Sequence, residues 1–176
     1  DTVLSRGLGD VYKRQGHTLH LQKTNNSETY FSKLLENIEE PTYPFELSSI
    51  QGGIRNIKES EIILPSRLSN EIRSISAELG MSPAVLFHAA YGIVVSKCSN
   101  KNYALFGSLF SGRLQGTVGA ADSLGLFINT LPFLVELKGH ALEYVNVVKN
   151  RLRELLSHEQ TPLSAVQGWS AIANDA

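Results

Sequence analysis

The chain has 176 residues, of which 42% are hydrophobic and 19% charged, a composition typical of one ordinary globular domain. Its formal net charge is −1 and no basic stripe runs along it, which argues against a nucleic-acid or anionic-membrane partner. No apolar run is long enough to cross a bilayer, and no signal-peptide pattern opens the chain, so we expect a cytoplasmic protein. The single cysteine, Cys98, allows neither an internal disulfide nor a cysteine-rich metal site.

The first 15 residues, Asp1 to Gln15, follow neither helical nor strand periodicity. They contain R-G-L-G-D-V-Y-K-R-Q, which looks like translated sequencing-adapter sequence, so we predict that residues 1–15 are a scar and that the native protein extends upstream. The alternative is a native, disordered N-terminal tail. Residues 16–26 are predicted to be a loop.

Apolar residues at three- and four-residue spacing predict amphipathic helices. Ser27 is the predicted N-cap of the first, and Ser66 that of the second, which Gly80 stops in the left-handed conformation. The third begins at Ser82 and Pro83 and is apolar over much of its surface, which predicts a core position.

Two further helices are predicted in the last third of the chain. The longest apolar stripe runs from Leu142 to Leu156 and carries its charges mostly on the outer face. The last helix begins at Thr161 and Pro162, a pair that repeats the cap-plus-proline start, and runs through Trp169.

Three strands are predicted between these helices. Lys58 to Leu64 is a short candidate, and Tyr103 to Phe110 is a buried one. Asp122 to Leu137 is an apolar run typical of a buried strand, but Asn129, Thr130 and Pro132 interrupt it, which predicts a bend or a change of partner there.

Polar residues sit where the two buried strands end or bend, and they are the candidate site. Ser111, Gly112 and Arg113 follow the first of these strands, and Asn129 and Thr130 lie within the second. An inward-turned arginine requires a carboxylate or an anionic ligand, whereas the alternative is a solvated arginine in a loop. For Asn129 the alternative is that its side chain hydrogen-bonds to its own backbone.

Common self-contained catalytic motifs are missing: there is no H-E-x-x-H, no G-x-x-x-x-G-K, no G-x-S-x-G and no G-x-G-x-x-G. The 5 histidines are scattered, and His17 with His20 is too sparse a pair to predict a metal site. We therefore predict no bound metal and no directly bound cofactor. The residues alone indicate an α/β domain fragment with a polar edge.

An ordered set of motifs resembles the C-terminal half of the condensation domains of nonribosomal peptide synthetases, which belong to the chloramphenicol-acetyltransferase-like superfamily. The resemblance covers about residues 30–169. It rests on Y-F-S-K-L-L from Tyr30, A-L-F-G from Ala104 with the following S-G-R, G-L-F-I-N-T-L-P from Gly125, which resembles the family's fifth core motif, and H-E-Q-T-P-L from His158, which resembles the sixth.

This resemblance implies the C-terminal lobe of that fold over residues 27–176, a mixed sheet packed by helices. It also implies peptide-bond formation between aminoacyl or peptidyl groups delivered on the phosphopantetheine arms of carrier proteins. The family's H-H-x-x-x-D-G motif is absent from this sequence, so no catalytic residue can be assigned within the chain. The fragment alone is expected to be inactive.

The resemblance further implies a role for the polar edge as a wall of the substrate tunnel. Arg113 is expected to pair with the aspartate of the missing motif, and Asn129 and Thr130 to lie close to the pantetheine arm or substrate. The expected tunnel-lining and supporting residues are Ser111, Gly112, Arg113, Gly125, Asn129 and Thr130. The expected partners are carrier-protein domains, the missing N-terminal lobe and a neighbouring adenylation domain.

Two other hypotheses remain open at this point. The parent protein could be a stand-alone acyltransferase, or an epimerising or cyclising relative within the same superfamily. The chain could instead be a native half-domain that binds carrier proteins without catalysis, which requires residues 1–15 to be genuine.

Overall fold

The structure is a computed structural model, and it describes residues 26–47, 59–111, 128–170 and 172. In chain order the described elements are helix α1 (Ser27–Leu35), a 3-10 turn (Pro44–Glu46), α2 (Ser66–Glu78), α3 (Pro83–Cys98), strands β1 (Tyr103–Phe110) and β2 (Asn129–Glu136), α4 (Ala141–Leu156) and α5 (Leu163–Trp169). The combination of helices with an antiparallel strand pair confirms the predicted α/β class. The proposed scar, residues 1–15, lies outside the described residues, as do Gly112, Arg113 and Gly125.

The chain divides into two compact units. The first contains α1, β1 from Phe106, β2 up to Leu134, α4 from Arg151, and α5. The second contains α2, α3 and the remaining parts of the two strands and of α4. The candidate site lies in the first unit.

The helix starts show where cap prediction succeeds. Ser82 is the N-cap of α3 as predicted, with Pro83 in the first turn. The N-cap of α1 is Asn26, whose side chain accepts a hydrogen bond from the Thr29 N–H at 3.3 Å, so the prediction of Ser27 is wrong by one residue. Ser27 is instead buried and bonds to distant side chains.

At the starts of two other helices, proline takes the cap position that the sequence pattern assigns to a hydroxyl residue. Pro65 is the N-cap of α2 and Pro162 that of α5, which places the predicted caps Ser66 and Thr161 one residue away. The extended conformation that proline favours is also the conformation of an N-cap, so no side-chain bond is needed to fix it. Gly80 ends α2 at a φ of +58°, as predicted.

Strand β1 has the predicted bounds, but the bend predicted between Asn129 and Pro132 is wrong. The second strand begins at Asn129 and continues unbroken through Pro132 to Glu136. It has one hydrogen-bonded neighbour among the described residues, so the missing proline N–H can face its open side. The prediction of a strand at Lys58–Leu64 is wrong for its described part, because residues 59–64 form neither strand nor helix.

Side chains alternate across this strand pair. On one face, Phe106, Leu131 and Phe133 point toward the core of the first unit, where Phe133 is fully buried and its ring centroid lies 5.1 Å from that of Phe106. The opposite face is exposed at Gly107 and Leu109 but buried at Leu134. Consecutive strand residues therefore belong to different surfaces.

Helix α3 packs against α2 and the 3-10 turn, and Val85, Ala89 and Val95 are on its buried face. The prediction that α3 lies within a core holds only for that face, because Phe87 and Tyr91 on its other side are more than half exposed. Among the described helices none alone is long and apolar enough to cross a membrane. The helices α2 and α3 meet the criterion only as a pair, with a bend of 109° between them.

Candidate functional site

The carboxamide of Asn129 joins the start of β2 to the turn that follows α4. Its Nδ2 donates to the main-chain carbonyl of Glu159 at 2.9 Å and to that of Thr161 at 2.7 Å. Both amide hydrogens are thereby used, and two carbonyls of a non-helical turn are satisfied. The Asn129 side chain therefore clamps residues 157–161 onto the sheet.

A second set of bonds ties the same turn to α1. Thr161 Oγ1 donates to Ser27 Oγ at 2.9 Å, and Ser27 Oγ lies 2.9 Å from His158 Nδ1. A Ser27 hydroxyl that accepts from Thr161 can donate to His158 Nδ1 when the neutral imidazole carries its hydrogen on Nε2. Ser27 and Thr161 are both buried, so these hydroxyls bond where water is excluded.

Aromatic rings hold the His158 imidazole in place. The ring of Tyr30 stacks on it with centroids 4.3 Å apart and planes 18° from parallel, and Phe31 meets it edge-on at 5.6 Å. Burial lowers the pKa of His158 below its usual value, and the nearby Glu154 carboxylate opposes this with a smaller effect. The neutral imidazole is the form that this pocket favours.

Tyr30 also belongs to a polar triangle at the edge of the pocket. Arg151 Nη1 donates to the Tyr30 hydroxyl at 3.3 Å and to Glu154 Oε2 at 3.1 Å, and the Tyr30 hydroxyl donates to the same carboxylate oxygen at 3.3 Å. Burial raises the pKa of the Tyr30 phenol, and Arg151 opposes that shift. The phenol therefore remains a neutral donor at physiological pH.

Thr130 lies on the face of the sheet opposite to Asn129, because adjacent strand residues point to opposite sides. Its methyl group covers Gly107 of the neighbouring strand so closely that a Cβ built at Gly107 would be 2.8 Å from Thr130 Cγ2. Around this contact, Leu109 is 68% exposed and Ile128 56% exposed. Thr130 thus faces an open surface with aliphatic neighbours, whereas Asn129 faces the packed turn.

The residues expected to form one site are therefore divided by the sheet. Thr130 faces the open surface, Asn129 supports the sheet from behind, and Ser111 follows β1 as an exposed residue. The roles expected of Gly112, Arg113 and Gly125 fall on residues outside the described ones. Tunnel contact for any of the six stays a prediction.

Sequence reasoning missed the supporting residues Ser27, His158 and Thr161. A signal was present, since His158 and Thr161 belong to the H-E-Q-T-P-L segment that resembles a core motif. Single-sequence patterns could not show that Ser27, more than a hundred residues away, contacts them. No group of three or more His, Cys, Asp or Glu within the described ranges is arranged to hold a metal ion.

The family model described as "Condensation domain" matches residues 8–176. Among curated proteins, Malpibaldin synthetase from Mortierella alpina is 40% identical over 146 residues, which are 82% of this chain and 3% of that protein. Tyrocidine synthase 2 from Brevibacillus parabrevis is 26% identical over 176 residues, 99% of this chain and 5% of that protein. The chain thus spans only a few per cent of the length of these relatives.

Solved structures agree on the fold. The condensation domain of the Monacolin K polyketide synthase superposes with a TM-score of 0.66 at 17% identity, covering 94% of this chain and 41% of that one. A four-domain nonribosomal peptide synthetase, solved with AMP and glycine, gives a TM-score of 0.61 at 18% identity and covers 83% of this chain and 11% of that one. Sequence match and fold together place this chain in the condensation domain family of nonribosomal peptide synthetases, with the chloramphenicol-acetyltransferase-like fold.

Proposed function

We propose that this chain is part of a condensation domain that joins aminoacyl or peptidyl groups carried as phosphopantetheine thioesters. The observation that carries the proposal is the Asn129 clamp, which brings the segments resembling the family's fifth and sixth core motifs into one structural unit. Two motifs far apart in sequence are thus parts of one arrangement. Family membership over residues 8–176 supports the same activity.

The reaction is amide formation by acyl transfer. The amine of the acceptor attacks the carbonyl carbon of the donor thioester, a C–N bond forms, the C–S bond breaks and the pantetheine thiol leaves. The amine must lose a proton, and the second histidine of the family's H-H-x-x-x-D-G motif is expected to assist the attack, either as general base or by positioning the amine and stabilising charge. That motif is not in this sequence, so we assign this role to a part of the protein outside this chain.

The contribution of this chain is then a wall that positions the two substrates. The open face around Thr130 and Gly107 would contact the neutral pantetheine arm or the acyl group, because the residues described there offer hydroxyl and aliphatic groups. Asn129 and the turn at residues 157–161 would hold that face rigid from behind. We further propose that Arg113 pairs with the aspartate of the histidine motif.

The partners follow from the same proposal. Two carrier-protein domains would deliver the thioesters, the other lobe of the domain would supply the histidine, and an adenylation domain would neighbour it in a cytoplasmic synthetase. The chain itself would bind no cofactor directly, since the pantetheine arm belongs to the carriers. The length relation to the curated relatives supports a place within a much longer protein.

The experiment uses the full synthetase that contains this chain. One carrier is loaded with a donor aminoacyl thioester and the other with an acceptor, and the carrier-bound products are identified by intact-protein mass spectrometry. We expect a dipeptidyl thioester on the acceptor carrier. Alanine at the second histidine of the H-H-x-x-x-D-G motif is expected to abolish that product.

Other outcomes would contradict the proposal in distinct ways. An epimerised or cyclised product would assign the protein to another branch of the superfamily. Transfer to a free small-molecule acceptor would indicate a stand-alone acyltransferase. Binding of loaded carriers without any product would leave only a binding role.

A further inference from the structure

Gly107 stands where its strand approaches Thr130 more closely than any side chain allows. A Cβ at position 107 would be 2.8 Å from Thr130 Cγ2, a separation that Cβ atoms essentially never show. Ordinary carbon contacts lie near 3.5–4.0 Å. Any residue other than glycine at this position must therefore displace the Thr130 methyl group or shift one of the two strands.

The Thr130 side chain has few ways to yield. Threonine is branched at Cβ, so its hydroxyl and methyl groups turn together about a single torsion angle with few allowed positions. Moving the methyl group away from Gly107 consequently moves the hydroxyl as well. The alternative is separation of the two strands, which would break the hydrogen bonds that pair them.

The contact between Gly107 and Thr130 lies on the open face of the sheet and not in the core. Gly107 is exposed and Thr130 is half-buried, with the exposed side chains of Leu109 and Ile128 on the same side of the sheet. A fully buried glycine would be explained by packing alone. Here the absent side chain leaves the surface open and makes room for the Thr130 methyl group, and so for the rotamer that the Thr130 side chain adopts.

We propose that Gly107 is a positioning residue of the condensation reaction, which acts by leaving room for the Thr130 rotamer that directs the Thr130 hydroxyl group to the substrate. This rests on the proposed function, because it takes the open face as the wall that substrate contacts. The hydroxyl group can donate to or accept from the amide and carbonyl groups of a pantetheine-linked substrate. Gly107 itself touches no reacting atom.

The test is a mutant cycle in the full synthetase, with condensation followed as dipeptidyl thioester formation. Gly107→Ala is expected to lower kcat/KM on the order of tenfold, the loss of about one well-placed hydrogen bond. Thr130→Val retains the methyl group and lacks the hydroxyl, so it is expected to show a similar loss. Thr130→Ser retains the hydroxyl and lacks the methyl group that a Cβ at position 107 would meet, so its activity is the reference for the double variant.

The decisive variant is the double substitution Gly107→Ala with Thr130→Ser. Because serine has no Cγ2 atom, the clash is removed and the hydroxyl can return, so activity is expected to recover to the Thr130→Ser level. Gly168→Ala is the matched control, since nothing lies within 4 Å of a Cβ there, and it should leave activity unchanged. The KM for the carrier proteins should remain at the wild-type value in all variants.

A second readout does not depend on activity. In protein labelled with ¹³C at the threonine methyl groups, three-bond couplings report the Thr130 side-chain torsion, and Gly107→Ala is expected to change them. An unchanged torsion, a double variant as impaired as Gly107→Ala, or a fully active Thr130→Val would each overturn the inference. A wild-type synthetase that makes no amide bond, with the torsion changed as expected, would overturn the proposed function and leave the side-chain coupling intact.

Discussion

At the scale of single residues, His158 combines three constraints. It bonds to Ser27, stacks on Tyr30 and sits where burial disfavours its charge. Its pKa is lowered from the usual value of 6.5, so the unfolded chain binds a proton more readily than the folded one. The stability that this neutral histidine contributes is present above pH 6.5 and is lost as the pH falls through the lower, folded-state pKa.

We therefore expect the midpoint of urea unfolding to fall between about pH 7.5 and about pH 5, in part because of His158. His158→Asn removes the titrating group, and its side-chain oxygen can still accept from Ser27, so the pH dependence should weaken. Carboxylate titrations elsewhere are common to both proteins and cancel in the comparison. An identical pH slope in the two would contradict the assignment.

Asn129 gives the second residue-scale prediction. Asn129→Asp keeps the shape of the side chain but replaces two donor hydrogens with a charged oxygen that faces the carbonyls of Glu159 and Thr161. We expect a loss of about 2–4 kcal/mol in the free energy of unfolding, measured in urea, because both hydrogen bonds are lost and the carboxylate oxygen repels the two carbonyl oxygens that it faces. Asn146→Asp, at an exposed position of α4, makes the same charge change and should shift stability by less than about 0.5 kcal/mol.

Sequence predicts the identity of these residues better than their roles. Asn129 stands out because an asparagine interrupts a strand-forming run, yet a pattern within one strand cannot show that its partners are carbonyls 30 and 32 residues further on. The alternation of strand side chains could separate Asn129 from Thr130 in advance. The predicted bend hides this separation, since a bend would remove the strict alternation.

At the scale of elements, Tyr144 fastens α4 to α3. Its hydroxyl donates to the Ala89 carbonyl at 3.0 Å in a buried setting, and burial raises the pKa of the phenol. This hydrogen bond joins the two helices through a single side-chain oxygen atom. Removing that oxygen alone leaves the ring free to pack as before.

Tyr144→Phe is therefore expected to reduce the free energy of unfolding by about 0.5–1.5 kcal/mol, the value of one hydrogen bond, with the packing of the ring retained. Urea unfolding followed by far-ultraviolet circular dichroism measures this. A loss as large as that of a truncated aromatic, about 3–5 kcal/mol, would show that the ring itself had moved. An unchanged midpoint would show that the bond contributes nothing.

Element bounds are largely predictable, since the periodic apolar residues of α2, α3, α4 and β1 mark them in the sequence. The failures have local causes. Caps are displaced where proline presets the backbone, as at Pro65 and Pro162. The short run before Pro65 has strand composition, but a strand also needs a partner, which composition does not supply.

At the scale of the whole molecule, the run before Pro65 exposes large apolar side chains to solvent. Ile62 is 83% exposed and its neighbour Ile63 is 86% exposed, in a segment that forms neither strand nor helix. Adjacent exposed β-branched residues without strand pairing favour association between chains. The chain should therefore associate more readily as its concentration rises.

Replacing both residues by threonine keeps their branched shape and the net charge while lowering the apolar area. We expect a larger monomer fraction by light scattering coupled to size-exclusion chromatography, with the urea midpoint unchanged because neither side chain is buried. Val85→Thr is the contrasting control, because it places a hydroxyl at a buried position of α3 and should lower the midpoint without reducing association. Equal association of the parent and the double variant would show that the chains associate through a surface other than Ile62 and Ile63.

The turn at residues 157–161 is held by bonds to its main chain and by bonds to its side chains. These two kinds of bond constrain hybrid chains, assembled from two parent sequences, in different ways. Asn129 grips main-chain carbonyls, which every sequence provides, so this contact can survive when the turn comes from another parent. The bond between Ser27 and His158 joins two side chains, and a crossover between them can unite a donor and an acceptor that do not match. A recombination junction placed upstream of Ser27 keeps both contacts, whereas one placed between α1 and α4 inherits only the first.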